Sequence, residues 1–224
     1  MTADLKSPRD LPWIALHNLF TCFVIATDHE DQHRTDCRRT DRYVKDLLTR
    51  LLKGFSSASS ILEVGCGTGH FMRWLDKQGL RAVGLDFSWP MLERARHMKS
   101  PSILQGDALR LPFTSASFDL VALISTLEIL PDPKQALDEA IRTARQGLVL
   151  VVLNAQSCLG RRCKRQDEST WEVARLFTPV ELRLLLREVA GKKPRIFWQT
   201  TRPFWSESSP YIWGDFFGVA VKLS

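Results

Sequence analysis

Short apolar runs alternate with amphipathic stretches along most of the 224-residue chain. Continuous apolar runs are typical of strands buried on both faces of a parallel sheet, and apolar residues every three or four positions are typical of helices that pack on one. Strands are predicted at residues 61–64, 81–86, 118–125 and 148–153, with a short one before Gln105 and a terminal pair at 196–200 and 216–223. The pattern contains no internal repeat and predicts one α/β domain with a substantial core.

Three amphipathic stretches carry signals for where a helix begins or ends. Residues 41–53 place five apolar side chains on one face and are predicted to end at Gly54, which would act as a C-terminal cap. Asp132 precedes a proline and, as N-cap, begins a helix that is predicted to end before Gly147. Residues 178–181 form a capping box that begins a third helix. These helices are expected to pack on the sheet.

The most informative segment is residues 61–71, ILEVGCGTGHF, where an apolar strand runs into three glycines at alternate positions. Gly65, Gly67 and Gly69 let the backbone turn tightly and approach a ligand that a β-carbon would obstruct. A helix that begins near His70 would direct its free N–H groups at that ligand. The dinucleotide fingerprint requires a small residue where His70 stands, so the spacing argues against NAD.

Carboxylates follow the next strands of the predicted sheet. Asp86 ends the second strand about twenty residues after the glycines, where nucleotide-binding folds place the acid that binds both ribose hydroxyls. Asp107 follows the third strand, and the fourth strand is nearly all apolar. Because ligands bind at the carboxyl ends of parallel strands, these groups are expected to converge at one edge of the sheet.

In combination, these features resemble the class I S-adenosylmethionine-dependent methyltransferases, from about residue 44 nearly to the C-terminus. The sequence LPF at residues 111–113 and FD at residues 118–119 also match that family's pattern. The resemblance implies a Rossmann-like, doubly wound, mostly parallel seven-stranded sheet with an antiparallel last strand and helices on both faces. It implies S-adenosylmethionine as cofactor and a methyltransferase domain at residues 41–224, preceded by a lid or cap segment at residues 1–40.

The same resemblance implies which residues hold the methionine and ribose parts of the cofactor. The residues around the methionine part belong to the first strand and its turn, and they are Glu63, Gly65, Cys66, Gly67 and Gly69. Asp86 would hold the ribose hydroxyls. An alternative for Cys66 is that it is only a small residue that fits between two glycines.

The adenine and the sulfonium are assigned to later strand ends by the same resemblance. Phe87 and Met91 would sandwich the adenine, and Asp107 together with the Ala108 backbone would read its amino edge. The segment from Ser125 to Glu128 would line the floor near the sulfonium. The cofactor site would therefore draw on the ends of four strands.

Glu128 is the candidate catalytic residue. A sulfonium methyl is already activated and transfers by in-line displacement, so positioning carries most of the catalysis, and a general base is needed only if the acceptor must lose a proton. Glu128 follows the fourth strand beside the expected methyl position. Many relatives carry His near this position, and the alternative is that Glu128 caps a turn or faces solvent.

The methyl acceptor is expected to be a small molecule, and two alternatives remain open. The net charge of +6 and the basic cluster at residues 161–165 suit an RNA-directed or other nucleic-acid methyltransferase. A non-catalytic relative that keeps the cofactor site is the second alternative. The acceptor site is expected to be bordered by the N-terminal segment, the loop at residues 160–171 and the aromatic-rich residues 197–217.

Compartment and metal content are predicted from cysteine, histidine and apolar patterns. The five cysteines include no C-x-x-C pair and are interpreted as free thiols of a cytoplasmic protein. The apolar stretch at residues 11–27 lacks a basic flank and falls short of the roughly twenty residues of a membrane span, so a lid or interfacial helix is expected and no integral membrane segment. His29 and His33 share helical spacing, but no further ligand pattern supports a metal site.

Overall fold

The computed structural model describes residues 34–100, 102–163, 174–191, 195–201 and 214–223. The strands are β1 (Ser60–Val64), β2 (Arg81–Asp86), β3 (Ser102–Gln105), β4 (Phe118–Ile124), β5 (Ala144–Leu153), β6 (Arg195–Thr200) and β7 (Phe216–Lys222). The helices are α1 (Arg34–Leu52), α2 (His70–Lys77), α3 (Trp89–His97), α4 (Pro133–Thr143), α5 (Cys158–Cys163) and α6 (Pro179–Val189), with 3₁₀ turns at Lys53–Phe55 and Leu127–Ile129.

Several sequence predictions lie outside the described residues. These are the cap segment over residues 1–33 with His29 and His33, most of the basic loop from residue 164 to 171, and the aromatic residues between 202 and 213. The division between residues 40 and 41 falls inside helix α1, which begins at Arg34. That division stays a prediction.

The strands form one seven-stranded sheet in the order β3-β2-β1-β4-β5-β7-β6. Strand β1 pairs in parallel with β2 and β4, and β7 lies between β5 and β6, antiparallel to both. The predicted mostly parallel, doubly wound sheet with an antiparallel last strand is therefore confirmed. The order reverses at β1 and β4, and open α/β sheets bind their ligands at such a switch point.

Helices cover both faces of the sheet, as its apolar pattern requires. Apolar side chains of α1 and α2 pack with residues of β1, β4 and β5 on one face. Side chains of α4 and α6 pack on the other face, against residues of β4, β5 and β7. Every residue of β4 is buried, which accounts for its nearly continuous apolar sequence. Within the described residues, no helix has the length and apolar character needed to cross a membrane.

Two helix ends differ from the sequence prediction. Gly54 does not cap α1, because it lies inside the 3₁₀ turn Lys53–Phe55 that continues the helix. Gly147 lies inside β5, and α4 already ends at Thr143. A β-carbon at Gly147 would collide with the Val221 carbonyl oxygen and the Phe55 ring, so this glycine permits a close approach rather than ending a helix.

The other predicted helix signals are confirmed. The Asp132 carboxylate accepts a hydrogen bond from the Gln135 amide at 3.0 Å and caps α4. Thr178 and Glu181 form the reciprocal capping box of α6, with the Thr178 amide donating to the Glu181 carboxylate at 2.8 Å and the Glu181 amide donating to Thr178 Oγ1 at 3.2 Å. The caps satisfy backbone donors that a helix leaves unpaired.

The FD pair has a structural role at the end of the sheet opposite the glycine turn. Asp119 accepts the backbone amides of Ser59 and Ser60 at 2.9 and 3.1 Å and the Arg145 guanidinium at 2.7 Å. These hydrogen bonds, with the Ser59 amide the largest contributor, lower the pKa of Asp119 to about 2. The carboxylate therefore fixes the start of β1 against β4 and β5.

Candidate functional site

The glycine turn between β1 and α2 is built as the sequence pattern requires. Gly65, Gly67 and Gly69 have φ values of +73°, +53° and +73°, a region that side-chain-bearing residues rarely adopt. The Gly65 amide donates to the Leu85 carbonyl at 2.7 Å, which ties the turn to β2. A β-carbon at Gly65 would collide with the Thr126 side chain, whereas one at Gly67 would meet no atom of the described residues within 4 Å. Among the described residues, the turn is thus closely packed at Gly65 and uncovered at Gly67.

Asp86 lies directly beside this turn. Its Oδ2 accepts the Gly67 amide at 2.7 Å and its Oδ1 accepts the Ser88 amide at 2.8 Å. Burial raises the pKa of Asp86, and the backbone amides of Ser88 and Gly67 oppose that rise. An ionised carboxylate has roughly four acceptor positions, so Asp86 can fix the turn and still accept hydroxyl groups of a ligand. The sequence had indicated only the ligand role.

Glu63 is a buried carboxyl group beneath the turn, with a relative exposure of 2%. Burial raises its pKa well above the ordinary value, and the neighbouring Asp86 charge raises it further, while Arg73 and the Met72 amide act in the opposite direction. Its Oε2 is buried without a hydrogen-bond partner among the described residues. A cationic group of a ligand would satisfy that oxygen and favour its ionised form.

Two further hydroxyl oxygens near the switch point, Thr68 Oγ1 and Ser125 Oγ, are buried and find no hydrogen-bond partner in the part of the chain that the structure describes. Ser125 follows β4 with a φ of +50°, and its amide donates to the Val151 carbonyl at 2.8 Å. Strained backbone at the end of a central strand is characteristic of functional sites. Together with Glu63 Oε2, these atoms are three buried oxygens without a hydrogen-bond partner in the described residues around the glycine turn.

The residues assigned to adenine lie next to Asp86 along the sheet. Phe87 is 44% exposed, and its carbonyl accepts the Gln105 side-chain amide at 3.0 Å. Met91 is half-buried in the first turn of α3. Asp107 is exposed and accepts the Leu109 amide at 2.9 Å, and Ala108 beside it is buried. An exposed aromatic ring beside a strand-end carboxylate is suited to stacking on a planar ligand.

Cys66 is a free thiol with a relative exposure of 5%. Burial raises its pKa, and the charges of Glu63 and Asp86 raise it further. A thiol held protonated in this way is a poor nucleophile. The environment of Cys66 accords with the alternative that it is a small residue filling space in the turn, and its contact with the cofactor stays a prediction.

Glu128 is buried, with a relative exposure of 4%, so the alternative that it faces solvent is wrong. Its Oε1 accepts the Leu153 amide at 2.7 Å, and its Oε2 is buried without a partner among the residues described. Burial raises the pKa of Glu128 to about 7, against the hydrogen bonds from the Leu153 amide and its own backbone. One oxygen is therefore held by the end of β5, and the other has no hydrogen bond within the described part of the chain.

Hydrogen bonds join these groups into one site at the carboxyl edge of the sheet. Thr126 Oγ1 donates to the Val64 carbonyl at 3.1 Å, which links the end of β4 to that of β1. The Gly106 amide donates to the Asp86 carbonyl at 3.0 Å, which places Asp107 beside β2. The Ile129 amide donates to the Thr126 carbonyl at 3.1 Å. The strand ends that the sequence predicted to converge are therefore adjacent.

Two features of the site were missed from the sequence. Thr126 occupies the space below Gly65, and the pairing of a glycine with a side chain about sixty residues away has no local signal. His70 Nε2 lies 2.6 Å from Asp41 Oδ1 of α1. The sequence pointed to His70 as a helix start and as the residue that interrupts the dinucleotide fingerprint, but no spacing rule connects it to Asp41.

Comparison with known proteins agrees with this geometry. Residues 62–152 match the family model of a methyltransferase domain. A demethylmenaquinone methyltransferase from Lactiplantibacillus plantarum is 38% identical over 150 residues, covering 62% of this chain and 62% of that protein. The O-methyltransferase resE from Aspergillus sclerotiorum is 29% identical over 162 residues, covering 66% of this chain and 60% of that protein. The chain thus spans about three fifths of the length of these curated relatives.

A solved structure extends the similarity beyond the matched domain. The crystal structure of an S-adenosylmethionine-dependent methyltransferase from Thermotoga maritima superposes with a TM-score of 0.66 at 28% sequence identity. The superposition covers 81% of this chain and 89% of that one. The fold and the family resemblance inferred from the glycine turn and its carboxylates are confirmed.

Proposed function

Because residues 62–152 match a methyltransferase domain and the fold is similar to that of an S-adenosylmethionine-dependent methyltransferase, we propose that this chain belongs to the class I methyltransferases and transfers a methyl group from S-adenosylmethionine to a small-molecule acceptor. One observation carries the proposal: an open glycine turn lies against a strand-end carboxylate, with the Gly67 amide 2.7 Å from Asp86 Oδ2. A β-carbon at Gly67 would meet no atom of the described residues within 4 Å, and such a position is suited to a close approach by a ligand.

The cofactor would be held by residues of four strand ends. The residues proposed to contact it are Glu63, Gly65, Cys66, Gly67, Gly69, Asp86, Phe87, Met91, Asp107, Ala108 and Ser125. Unused acceptor positions on Asp86 support the ribose contact, and the exposed Phe87 ring supports the adenine contact. The unpartnered Glu63 Oε2 supports a contact with the cationic methionine end.

When bound, S-adenosylmethionine supplies an activated sulfonium methyl and leaves as a neutral thioether. The protein's part is to orient the acceptor and, where the acceptor carries an O–H or N–H, to receive its proton. Glu128 Oε2 is the proposed proton acceptor, because it has no partner among the described residues and belongs to a carboxyl group whose pKa lies at about 7. The Leu153 amide keeps Oε1 in place, so the proton would go to a positioned atom.

A small molecule is the acceptor class that the relatives favour. One relative is named for demethylmenaquinone, and the other is named as an O-methyltransferase. These names differ in acceptor, so we propose the class and no particular compound. We also propose a cytoplasmic location, supported by a cysteine content that suits a reducing compartment and by the free thiol of Cys66.

A labelled-methyl assay tests the proposal. Purified protein would be incubated with methyl-labelled S-adenosylmethionine and a cell extract separated into small-molecule, RNA and protein fractions. Label in the small-molecule fraction is expected. Label confined to RNA would overturn the acceptor class, and cofactor binding without transfer to any fraction would indicate a non-catalytic relative.

Calorimetry separates the cofactor assignment from the acceptor. S-Adenosylmethionine and its demethylated product should both bind, and NAD should not, because His70 stands where the dinucleotide fingerprint needs a small residue. NAD binding without heat from the other two ligands would overturn the cofactor assignment. Glu128→Gln should leave cofactor affinity nearly unchanged and lower turnover if the acceptor loses a proton.

A further inference from the structure

A side-chain hydrogen bond joins helix α1 to the helix that follows the glycine turn. His70 Nε2 lies 2.6 Å from Asp41 Oδ1, and Lys45 Nζ lies 2.8 Å from Asp41 Oδ2. The His70 and Asp41 side chains are 20% and 28% exposed. Both carboxylate oxygens of Asp41 are therefore engaged, one across the two helices and one within α1.

The position of His70 connects this hydrogen bond to the cofactor site. His70 is the first residue of α2 and directly follows Gly69, whose amide closes the turn by donating to the Cys66 carbonyl at 2.8 Å. The His70 ring also meets the Phe71 ring edge-on at 5.0 Å. Any movement of His70 therefore changes the direction in which the chain leaves the turn.

The charge on Asp41 favours this arrangement. Burial opposes ionisation of Asp41, but hydrogen bonds from His70 and Lys45 outweigh it, so the pKa of Asp41 is lowered. The ionised Asp41 carboxylate, hydrogen-bonded to the first residue of α2, also interacts favourably with the positive end of that helix's dipole. Asp41 thus stabilises the start of α2 from a neighbouring helix.

We propose that Asp41 and His70 are positioning residues of the cofactor site, which fasten α1 to the glycine turn and hold the turn in the geometry that binds S-adenosylmethionine. This inference rests on the proposed function, since it assigns the turn to that cofactor. If the turn is already ordered in the free protein, binding does not include the free-energy cost of ordering it. Loss of the pair should therefore weaken the cofactor without altering the methyl-transfer step.

The test measures cofactor affinity in Asp41→Asn, His70→Gln and the double variant. Isothermal titration with S-adenosylmethionine and with its demethylated product should show each single variant weakened about three- to ten-fold, the range expected of a partly exposed pair that orders a loop. Because both changes weaken the same contact, the double variant should lose less affinity than the two single losses added together. In turnover assays KM for the cofactor should rise and kcat should stay nearly constant.

Asp46→Asn is the matched control. Asp46 lies on the same helix and pairs with Arg50 Nε at 3.2 Å, so the change removes the same charge without touching His70. Its cofactor affinity should equal that of the wild type. Urea unfolding under the assay conditions identifies any loss of affinity that comes from unfolded protein.

The outcomes separate this inference from the function on which it rests. Additive losses in the double variant, or an equal loss in Asp46→Asn, would overturn the pairing role while leaving the cofactor assignment intact. Wild-type protein that binds neither sulfur compound would overturn the proposed function and the pairing role together. An effect on kcat alone would also contradict a positioning role in cofactor binding.

Discussion

Replacing Glu128 by Gln should change how the stability of the protein depends on pH. The carboxyl group is buried, with Oε1 bonded to the Leu153 amide and Oε2 without a partner among the described residues, and burial raises its pKa to about 7. The folded state therefore holds a proton that the unfolded chain releases above the ordinary glutamate pKa of 4.5. Because the folded pKa is raised, this group makes stability fall as pH rises from about 4.5 to about 7.

The magnitude follows from the size of the pKa shift. A shift of about 2.5 pH units corresponds to about 3 kcal/mol, at roughly 1.4 kcal/mol per unit, and most of that loss falls between pH 5 and 7. The introduced glutamine would not titrate, and its side-chain carbonyl oxygen could still accept the Leu153 amide. Its buried amide group would lack an acceptor at a cost of about 1–3 kcal/mol, but that cost is independent of pH.

The assay is urea unfolding of wild type and Glu128→Gln at pH 5, 6, 7 and 8. The difference in the free energy of unfolding should shift in favour of the variant by about 2–3 kcal/mol across this range. Glu63 and Asp86 also have raised pKa values, but their contributions to the pH dependence are the same in both proteins and cancel in the difference. Parallel curves for the two proteins would refute the buried, proton-holding environment assigned to Glu128.

Glu139→Gln provides a control of opposite sign. The hydrogen bond from Arg142 lowers the pKa of Glu139 against the effect of burial, and the Leu111 amide lowers it further. Glu139 therefore contributes stability above its ordinary pKa that is lost as pH falls through its folded pKa. The difference in the free energy of unfolding between wild type and Glu139→Gln should be constant between pH 6 and 8 and should become smaller toward acid pH.

Three further changes test other parts of the site and fold. Asp86→Asn should weaken S-adenosylmethionine binding at least ten-fold, because it removes a charge-assisted acceptor, and calorimetry on the folded variant measures this. Gly65→Ala should lower the urea midpoint more than Gly67→Ala, because only the former collides with Thr126, while Gly67→Ala should act mainly on cofactor affinity. Thr178→Ala should destabilise the fold by about 1 kcal/mol in urea unfolding, since it removes the α6 cap, and a change below about 0.3 kcal/mol would contradict that role.

The fold and most of the cofactor edge could be predicted from local sequence. Strand β2 has the predicted bounds, and Gly65, Gly67 and Gly69 adopt the positive φ values that their spacing implied. Such features can be recognised in the sequence because they depend on neighbouring residues and on the period of the apolar pattern. Gly147 shows the limit, since the same residue type that ends helices lies here in a strand beside Phe55 and Val221.

The sequence by itself determined the order of strands and helices, the glycine turn and the carboxylates at the strand ends, because each is specified by a few adjacent residues. Tertiary structure alone decided what those groups contact. It places Thr126 under Gly65, gives Asp86 a second role in holding the turn, and brings Asp41 to His70. It also raises the pKa of Glu128, because desolvation depends on all the residues packed around the carboxyl group, including those distant in the chain.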